Sequence, residues 1–314
     1  MQLREKTVHG KKYYYLDLSY RISSKLKSFS QYIGLKKPSK SKLKNIEEEF
    51  KSEIVSRLAG KKYENEFVSK DDLIKIMLFK EAFNKKFASL SKVQKRKHEI
   101  DSTILFTLTT LTTEDVDVSL DDVINSFKKD KQLSMREQIS KNMLKAVESI
   151  KEKHEIDKKY LLKLHKTIMA DFEEKTPGQV RNKQVYLHKQ DPKNLLGIEI
   201  GYRPPHYSKI DELLDDFVKW YNSTKLNPLE KAATAHCKIY KIHPFLDGNK
   251  RISRLILNKI LIEEGFPLLN ISLKKELYFQ TLINAVEKNK EKKFTEFTLK
   301  EFLRQTKAFI KRKK

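Results

Sequence analysis

The 314-residue chain carries 66 lysines and arginines against 42 aspartates and glutamates, a formal charge of +24. Such a charge attracts anionic partners but sets no fold, and its spread along the whole chain weakens any specific claim for nucleic acid. A single cysteine, Cys237, excludes an internal disulfide and a cysteine-based metal cluster, which fits a reducing, cytoplasmic setting. No apolar run nears the ~18 residues of a membrane span and the start lacks the apolar core of a secretory leader, so no membrane partner is expected.

In chain order, residues 1–34 read as β-rich. Lys11-Lys12-Tyr13-Tyr14-Tyr15-Leu16 is strongly aromatic, and Gly34 closes the segment Gln31-Tyr32-Ile33. Residues 38–44 read as a basic connector. From 45 to 100, apolar positions such as Ile46, Phe50, Ile54 and Leu58 fall at helical spacing, a packing stripe. Ser102 to Thr113 is rich in β-branched residues and is compatible with a strand. Helices are predicted over 140–153, 158–172 and 211–221, with Trp220 and Cys237 as core residues. Gly178 to Pro205 is punctuated by glycine and proline, with a short extended piece at Gln184-Val185-Tyr186-Leu187. Pro228 opens the next helix, Gly265 ends a later one and Pro267 blocks its continuation. The last four residues, Lys311 to Lys314, read as a frayed basic tail.

The chemistry is concentrated in His243-Pro244-Phe245-Leu246-Asp247-Gly248-Asn249-Lys250-Arg251-Ile252-Ser253-Arg254, which runs directly into an apolar helical stretch. The first turn of a helix presents unpaired N–H groups and the positive end of the peptide dipoles, and therefore attracts anions. Gly248 lets a phosphate approach the backbone. Asn249 offers a donor and an acceptor. Arg251 and Arg254, three apart, share a helix face and suit phosphate oxygens. Asp247 is the hard oxygen ligand that holds Mg²⁺ together with phosphates. His243, with an ordinary imidazole pKa near ~6.5, can take a proton from a hydroxyl at neutral pH. Taken singly, each of these residues has a structural reading; in this order they describe a nucleotide site.

The run resembles the signature of the Fic family: His-Pro-Phe, any residue, Asp or Glu, Gly-Asn, Gly or Lys, Arg, two residues, Arg. His165, Gly178-Gln179-Val180-Arg181, Val185, Pro204-Pro205, His236, Glu264-Gly265-Phe266-Pro267 and Tyr278 sit where further landmarks of that family fall. The resemblance covers residues 155–300 well and 95–155 more loosely. It implies a mostly α fold, a helical bundle with a short β-hairpin flap, plus a small N-terminal β/α appendage; the division expected is 1–94 and 95–314. It also implies a nucleotidyltransferase that moves AMP from ATP, with Mg²⁺, onto a hydroxyl of a target protein. In that reading His243 is the base and Asp247 holds the metal. Asn249 and the backbone at Gly248 cradle the α- and β-phosphates, Arg251 neutralises the departing pyrophosphate, and Arg254 holds the γ-phosphate. Lys250 joins the nucleotide site and Tyr278 lines the base or packs. The flap falls on Val185, Tyr186, Leu187 and His188.

Two departures qualify the resemblance. Lys250 stands where many AMP-transferring members have glycine and resembles the Doc branch, which transfers the γ-phosphate, so a Doc-like protein kinase is the alternative. Many members also carry an inhibitory Ser/Thr-x-x-x-Glu-Gly/Asn helix whose glutamate pairs with the second motif arginine. In the preferred register Ser102 opens that stretch and Phe106 replaces the glutamate, with Thr113 capping a helix that starts near Glu114; inhibition is then absent or altered. A shifted register, Thr110 to Asp115, restores a glutamate at 114. The partners expected are ATP and a target protein. The tyrosines and lysines of the N-terminus keep open a third reading, a DNA-associated regulator, and self-association is compatible with the sequence.

Overall fold

The computed structural model describes residues 2–114, 116–128, 132–185 and 202–312. The chain divides into two compact units, residues 91–224 with 228–301, and residues 1–90 with 225–227 and 302–314. The boundary expected at 94 falls inside a helix, and the last thirteen residues group with the N-terminal unit instead of the larger one.

The N-terminal unit begins with an antiparallel sheet in the order β1 (Gln2–Val8), β2 (Lys11–Ile22), β3 (Lys25–Gly34). His9 and Gly10, both at positive φ, make the two-residue turn from β1 to β2. Alternation along β2 buries Tyr14, Leu16, Leu18, Tyr20 and Ile22 on one face, joined by Phe29 of β3. Helix α1 (Lys40–Ala59) is capped by the Ser39 hydroxyl and starts inside the stretch read as a connector. A cap signal was present there and was hidden by the basic composition. With α2 (Lys70–Ala88) it supplies buried Phe50, Ile54, Leu73, Ile74 and Met77. The Tyr20 hydroxyl donates to Asp71 at 2.9 Å, and Lys51 donates to the same carboxylate at 2.7 Å.

The larger unit is helical. It contains α3 (Lys92–Thr112), α4 (Leu120–Lys128), α5 (Met135–Ser149), α6 (Lys158–Ile168), α7 (Ile210–Ser223), α8 (Pro228–Ile242), α9 (Asn249–Glu263), α10 (Lys275–Glu287) and the start of α11 (Glu291–Lys311). At its centre α9 is buried on nearly every side, from Ile252 to Leu261, as a helix walled in by others must be. The Asn258 amide joins the Arg254 carbonyl (3.1 Å) to both backbone groups of Leu269, which anchors the chain after Gly265.

Three sequence expectations change here. Ser102 to Thr113 is helix, not strand: a Ser91–Gln94 capping box starts α3, and the hydroxyls of Thr109 and Thr112 bond back to carbonyls four residues earlier. Burial of Phe106, Thr107 and Leu111 on one face outweighs β-branched propensity. Trp220 is only partly buried, beneath the Lys238 ammonium 4.9 Å from its ring centre, whereas Cys237 is in the core. Helix α11 continues to Lys311, so the tail is shorter than expected. Among the described residues no helix is long and apolar enough to cross a membrane.

Candidate functional site

Helix α8 ends at Ile242, and the His243 amide closes it on the Ile239 carbonyl at 3.0 Å. His243 itself takes φ +50, a conformation that costs a non-glycine residue energy and persists only when its surroundings enforce it. The enforcing group is Arg181. Its Nε donates to the His243 carbonyl (2.8 Å), its backbone N to the Pro244 carbonyl (2.9 Å), and its remaining nitrogens to the carbonyls of Lys183 and Pro205. Arg181 is fully buried; the sequence marked it as a landmark but gave it no role.

The rest of the loop is closed by Asn249. Its Oδ1 accepts from the Phe245 amide (3.0 Å) and its Nδ2 donates to the Phe245 carbonyl (2.9 Å). The amide expected to cradle phosphates is thus spent on holding the loop. Gly248 has a packing role. It sits at φ +74, and a Cβ there would meet Met169 Sδ at 3.2 Å and Ile168 Cδ1 at 3.3 Å. The glycine lets the loop turn tightly against the end of α6. His165 braces the same turn. Its ring stacks on Phe245 with centroids 3.8 Å apart, its Nε2 donates to the Asp247 carbonyl, and its Nδ1 accepts from the Gly178 amide at 2.9 Å. Burial lowers its pKa to about 4, so it is a neutral structural imidazole.

At the mouth of α9 the Ile252 amide bonds the Gly248 carbonyl at 3.0 Å, which places the positive end of the helix dipole at the loop. His243 is nearly buried, and its Nδ1 lies 3.3 Å from the Tyr240 carbonyl. A carbonyl only accepts, so Nδ1 carries the proton and Nε2 holds the lone pair. Burial, foremost, lowers the pKa to about 4. The ring therefore stands in its basic form at neutral pH.

The two motif arginines of α9 are paired. The Glu114 carboxylate receives Arg251 Nε at 3.0 Å on one oxygen and Arg254 Nη2 at 2.7 Å on the other, with its side chain only 6% exposed. The same Arg254 nitrogen donates to the Thr110 carbonyl at 2.9 Å, and its Nη1 meets the Tyr278 hydroxyl at 3.3 Å. This corrects the preferred register. Phe106 lies in the core of α3, Ser102 one turn before it, and the group facing both motif arginines is Glu114, just past the end of α3. Thr113 caps the C-terminus of α3 and starts no helix. Threonines favour strands and cap helix N-termini, and both tendencies point away from the helix that forms here. The shifted register, with its glutamate directly after the threonine-rich run, held the signal.

Tyr278 is fully buried and cannot line a nucleotide base. Its hydroxyl joins His236 Nε2 (3.0 Å) to Arg254, and burial raises its pKa to about 12. It supports the second arginine from behind. Lys250 points its ammonium at the Phe279 ring, 4.8 Å from the centroid. Val185 lies in no regular element, and Tyr186, Leu187 and His188 fall outside the described residues.

Asp247 has a side chain 47% exposed; its Oδ1 accepts from the Gly248 amide at 2.6 Å and lies 3.6 Å from Arg251 Nη2. Among the described residues no three side chains of metal-ligating type converge.

Residues 155–261 match the Fic/DOC family model. Over 133 residues the chain is 35% identical to protein adenylyltransferase fic-1 of Caenorhabditis briggsae, which covers 41% of this chain and 24% of that protein. Over 122 residues it is 36% identical to protein adenylyltransferase Fic of Drosophila erecta, 38% of this chain and 22% of the other. The chain thus spans about a quarter of the length of the curated relatives it matches. Among solved structures, a Fic-domain signaling protein of Bacteroides thetaiotaomicron superposes with a TM-score of 0.64 at 19% identity, covering 75% of this chain and 95% of the other. The 134–508 fragment of Fic-1 from C. elegans gives 0.62 at 23% identity, covering 76% and 72%. These two likenesses establish the helical fold.

Proposed function

With residues 155–261 matching the Fic/DOC family model, we propose that this chain is a protein adenylyltransferase that moves AMP from ATP to a hydroxyl of a target protein. The observation that carries the reading is the mouth of α9, where a neutral imidazole whose Nδ1 is held by the Tyr240 carbonyl leads through a tight loop into a helix whose first turns carry Arg251 and Arg254 on one carboxylate. The relatives' names point the same way. The target oxygen forms a bond to the α-phosphorus while the bond from that phosphorus to the bridging oxygen of the β-phosphate breaks, and pyrophosphate leaves. His243 Nε2 takes the hydroxyl proton. Arg251 and Arg254 hold the charge of the β- and γ-phosphates, and the first-turn amides of α9 meet the oxygens nearest the helix. Asp247 would hold Mg²⁺, which supplies charge neutralisation at the phosphates when bound. The single buried cysteine is in keeping with a cytoplasmic setting.

Regulation belongs to the same reading. Glu114 occupies the faces of both arginines that phosphates would use. In this state the enzyme is held closed by its own carboxylate, and ATP must displace it.

Incubation with ATP labelled at the α- or at the γ-phosphate, in a lysate of the source cell, tests the reaction. Protein-bound α-label that His243→Ala abolishes supports AMP transfer. Protein-bound γ-label without α-label means the Doc-like phosphotransfer that Lys250 suggested, and overturns the proposal.

A further inference from the structure

The net charge of the N-terminal unit is not evenly spread. Residues 1–44 contain twelve lysines and arginines and two carboxylates, whereas residues 45–90 contain nine of each. Of the twelve, seven lie on the strands, two in the connection and three in the first turns of α1, and residues 302–314 of the same unit add six more with no carboxylate. The two carboxylates are also consumed: Glu5 pairs with Lys12 at 2.8 Å, and Asp17 takes Arg4 and the Ser30 hydroxyl, each at 2.6 Å.

Strand register settles what the open face displays. Opposite the buried row of Tyr14, Leu16, Leu18 and Tyr20, the outer row of β2 is Lys11, Tyr13, Tyr15, Asp17, Ser19 and Arg21. Lys6 stands across from Tyr13, Arg4 across from Tyr15, Ser28 across from Ser19, and Tyr32 across from Tyr15. Lys6, Lys11 and Arg21 are exposed, as are Ser19, Ser28 and Ser30. The face is a cationic, hydroxyl-bearing surface with three tyrosines at one end.

We propose that this sheet face binds double-stranded DNA in the major groove. The phosphates meet the lysines and Arg21, and the hydroxyl row faces the base edges. With strands ~4.8 Å apart, two of the three are about 10 Å across and fit a groove ~12 Å wide, while the third lies along its rim. The tyrosines argue against single strands, which need open ring faces for stacking. Tyr15 has the Arg4 guanidinium 4.7 Å above its ring, and Tyr32 leans on Tyr13 and Tyr15 at 46° and 56°. The rings thus pack on one another. Duplex RNA is excluded by shape, since its major groove is too narrow for a sheet.

The test is fluorescence anisotropy of the full chain with a labelled DNA duplex of about 20 base pairs and arbitrary sequence. Three phosphate contacts predict affinity falling roughly 40-fold between 50 and 200 mM salt. Lys6→Ala/Lys11→Ala/Arg21→Ala together should weaken binding more than about tenfold and flatten the salt slope by about three. The control Lys292→Ala/Lys293→Ala/Lys300→Ala removes the same charge from exposed positions of α11 and should leave the slope unchanged. Circular dichroism verifies that both variants fold. Equal loss from the two triples, or tighter binding of single-stranded DNA or duplex RNA than of duplex DNA, overturns the proposal.

Discussion

Two sets of cations in this chain behave as opposites. Arg251 and Arg254 at the mouth of α9 are buried and share one carboxylate at hydrogen-bond distance. Lys6, Lys11 and Arg21 on the N-terminal sheet are exposed and outnumber the carboxylates near them. In the first set geometry matters, because a buried charge that loses its partner is costly and solvent cannot replace that partner. In the second only the sum matters, and salt screens it. A net charge of +24 is therefore two properties, a sharply placed pair and a diffuse surface.

The largest expected effect separates the two sets outright. His243→Ala should lower labelling by about 10²–10⁴-fold, the usual weight of a positioned base, and leave DNA binding by the sheet unchanged. If labelling persists, the α9 mouth is not the reacting centre.

Next comes the carboxylate. Glu114→Gly should raise labelling roughly 10–100-fold by removing the competitor for the phosphates. It should also destabilise the ATP-free protein by about 3 kcal/mol, since it leaves buried Arg254 without a carboxylate and Arg251 with only Asp247 at 3.6 Å. Added ATP should then raise the melting temperature of the variant more than that of the parent. A variant neither activated nor destabilised would mean that the Glu114 bridge has no hold on the site.

How much of this could be read from the sequence follows from what each signal depends on. The β-rich start, the helical bulk and the 243–254 run are legible in the sequence, because aromatic enrichment and helical spacing are local. The partner of Arg254 is not, because α3 forms by burying Phe106, Thr107 and Leu111 against the bundle, and threonine propensity alone argues for a strand. Asn249 and Gly248 were assigned to phosphate on chemistry, but packing employs them differently. Asn249 clamps Phe245, and Gly248 clears Ile168 and Met169. For Tyr278 residue type allows either a base contact or packing, and its complete burial selects packing. Residue type suggested the chemistry, and only the tertiary contacts decided which groups remain available for it.

Acidity distinguishes the sets again. His243 and His165 are lowered to about 4, and His236 well below its ordinary value, all chiefly by burial. The unfolded chain binds these protons near pH ~6.5 and the folded one resists them. Their contribution to stability is thus present above pH ~6.5 and is lost as pH falls toward about 4. Melting temperature should drop across that window, and the acid limb of labelling should lie near pH ~4, not ~6.5, when followed on samples that remain folded. A limb at the higher value would mean a solvated imidazole.

Gly248→Ala should cost about 1–2 kcal/mol, from the positive φ and the contacts with Ile168 and Met169, with a matching fall in labelling. A stable and fully active variant would remove packing as the reason for the glycine. The smallest effect belongs to the sheet: Lys6→Ala/Lys11→Ala/Arg21→Ala should change labelling less than twofold while it abolishes most DNA binding.

The most direct test of the central claim is α-label transfer by Glu114→Gly compared with the double variant Glu114→Gly/His243→Ala. The account predicts strong labelling of protein by the first and none by the second. Equal labelling by both, or none by either when ATP binding is shown to be intact, would contradict it.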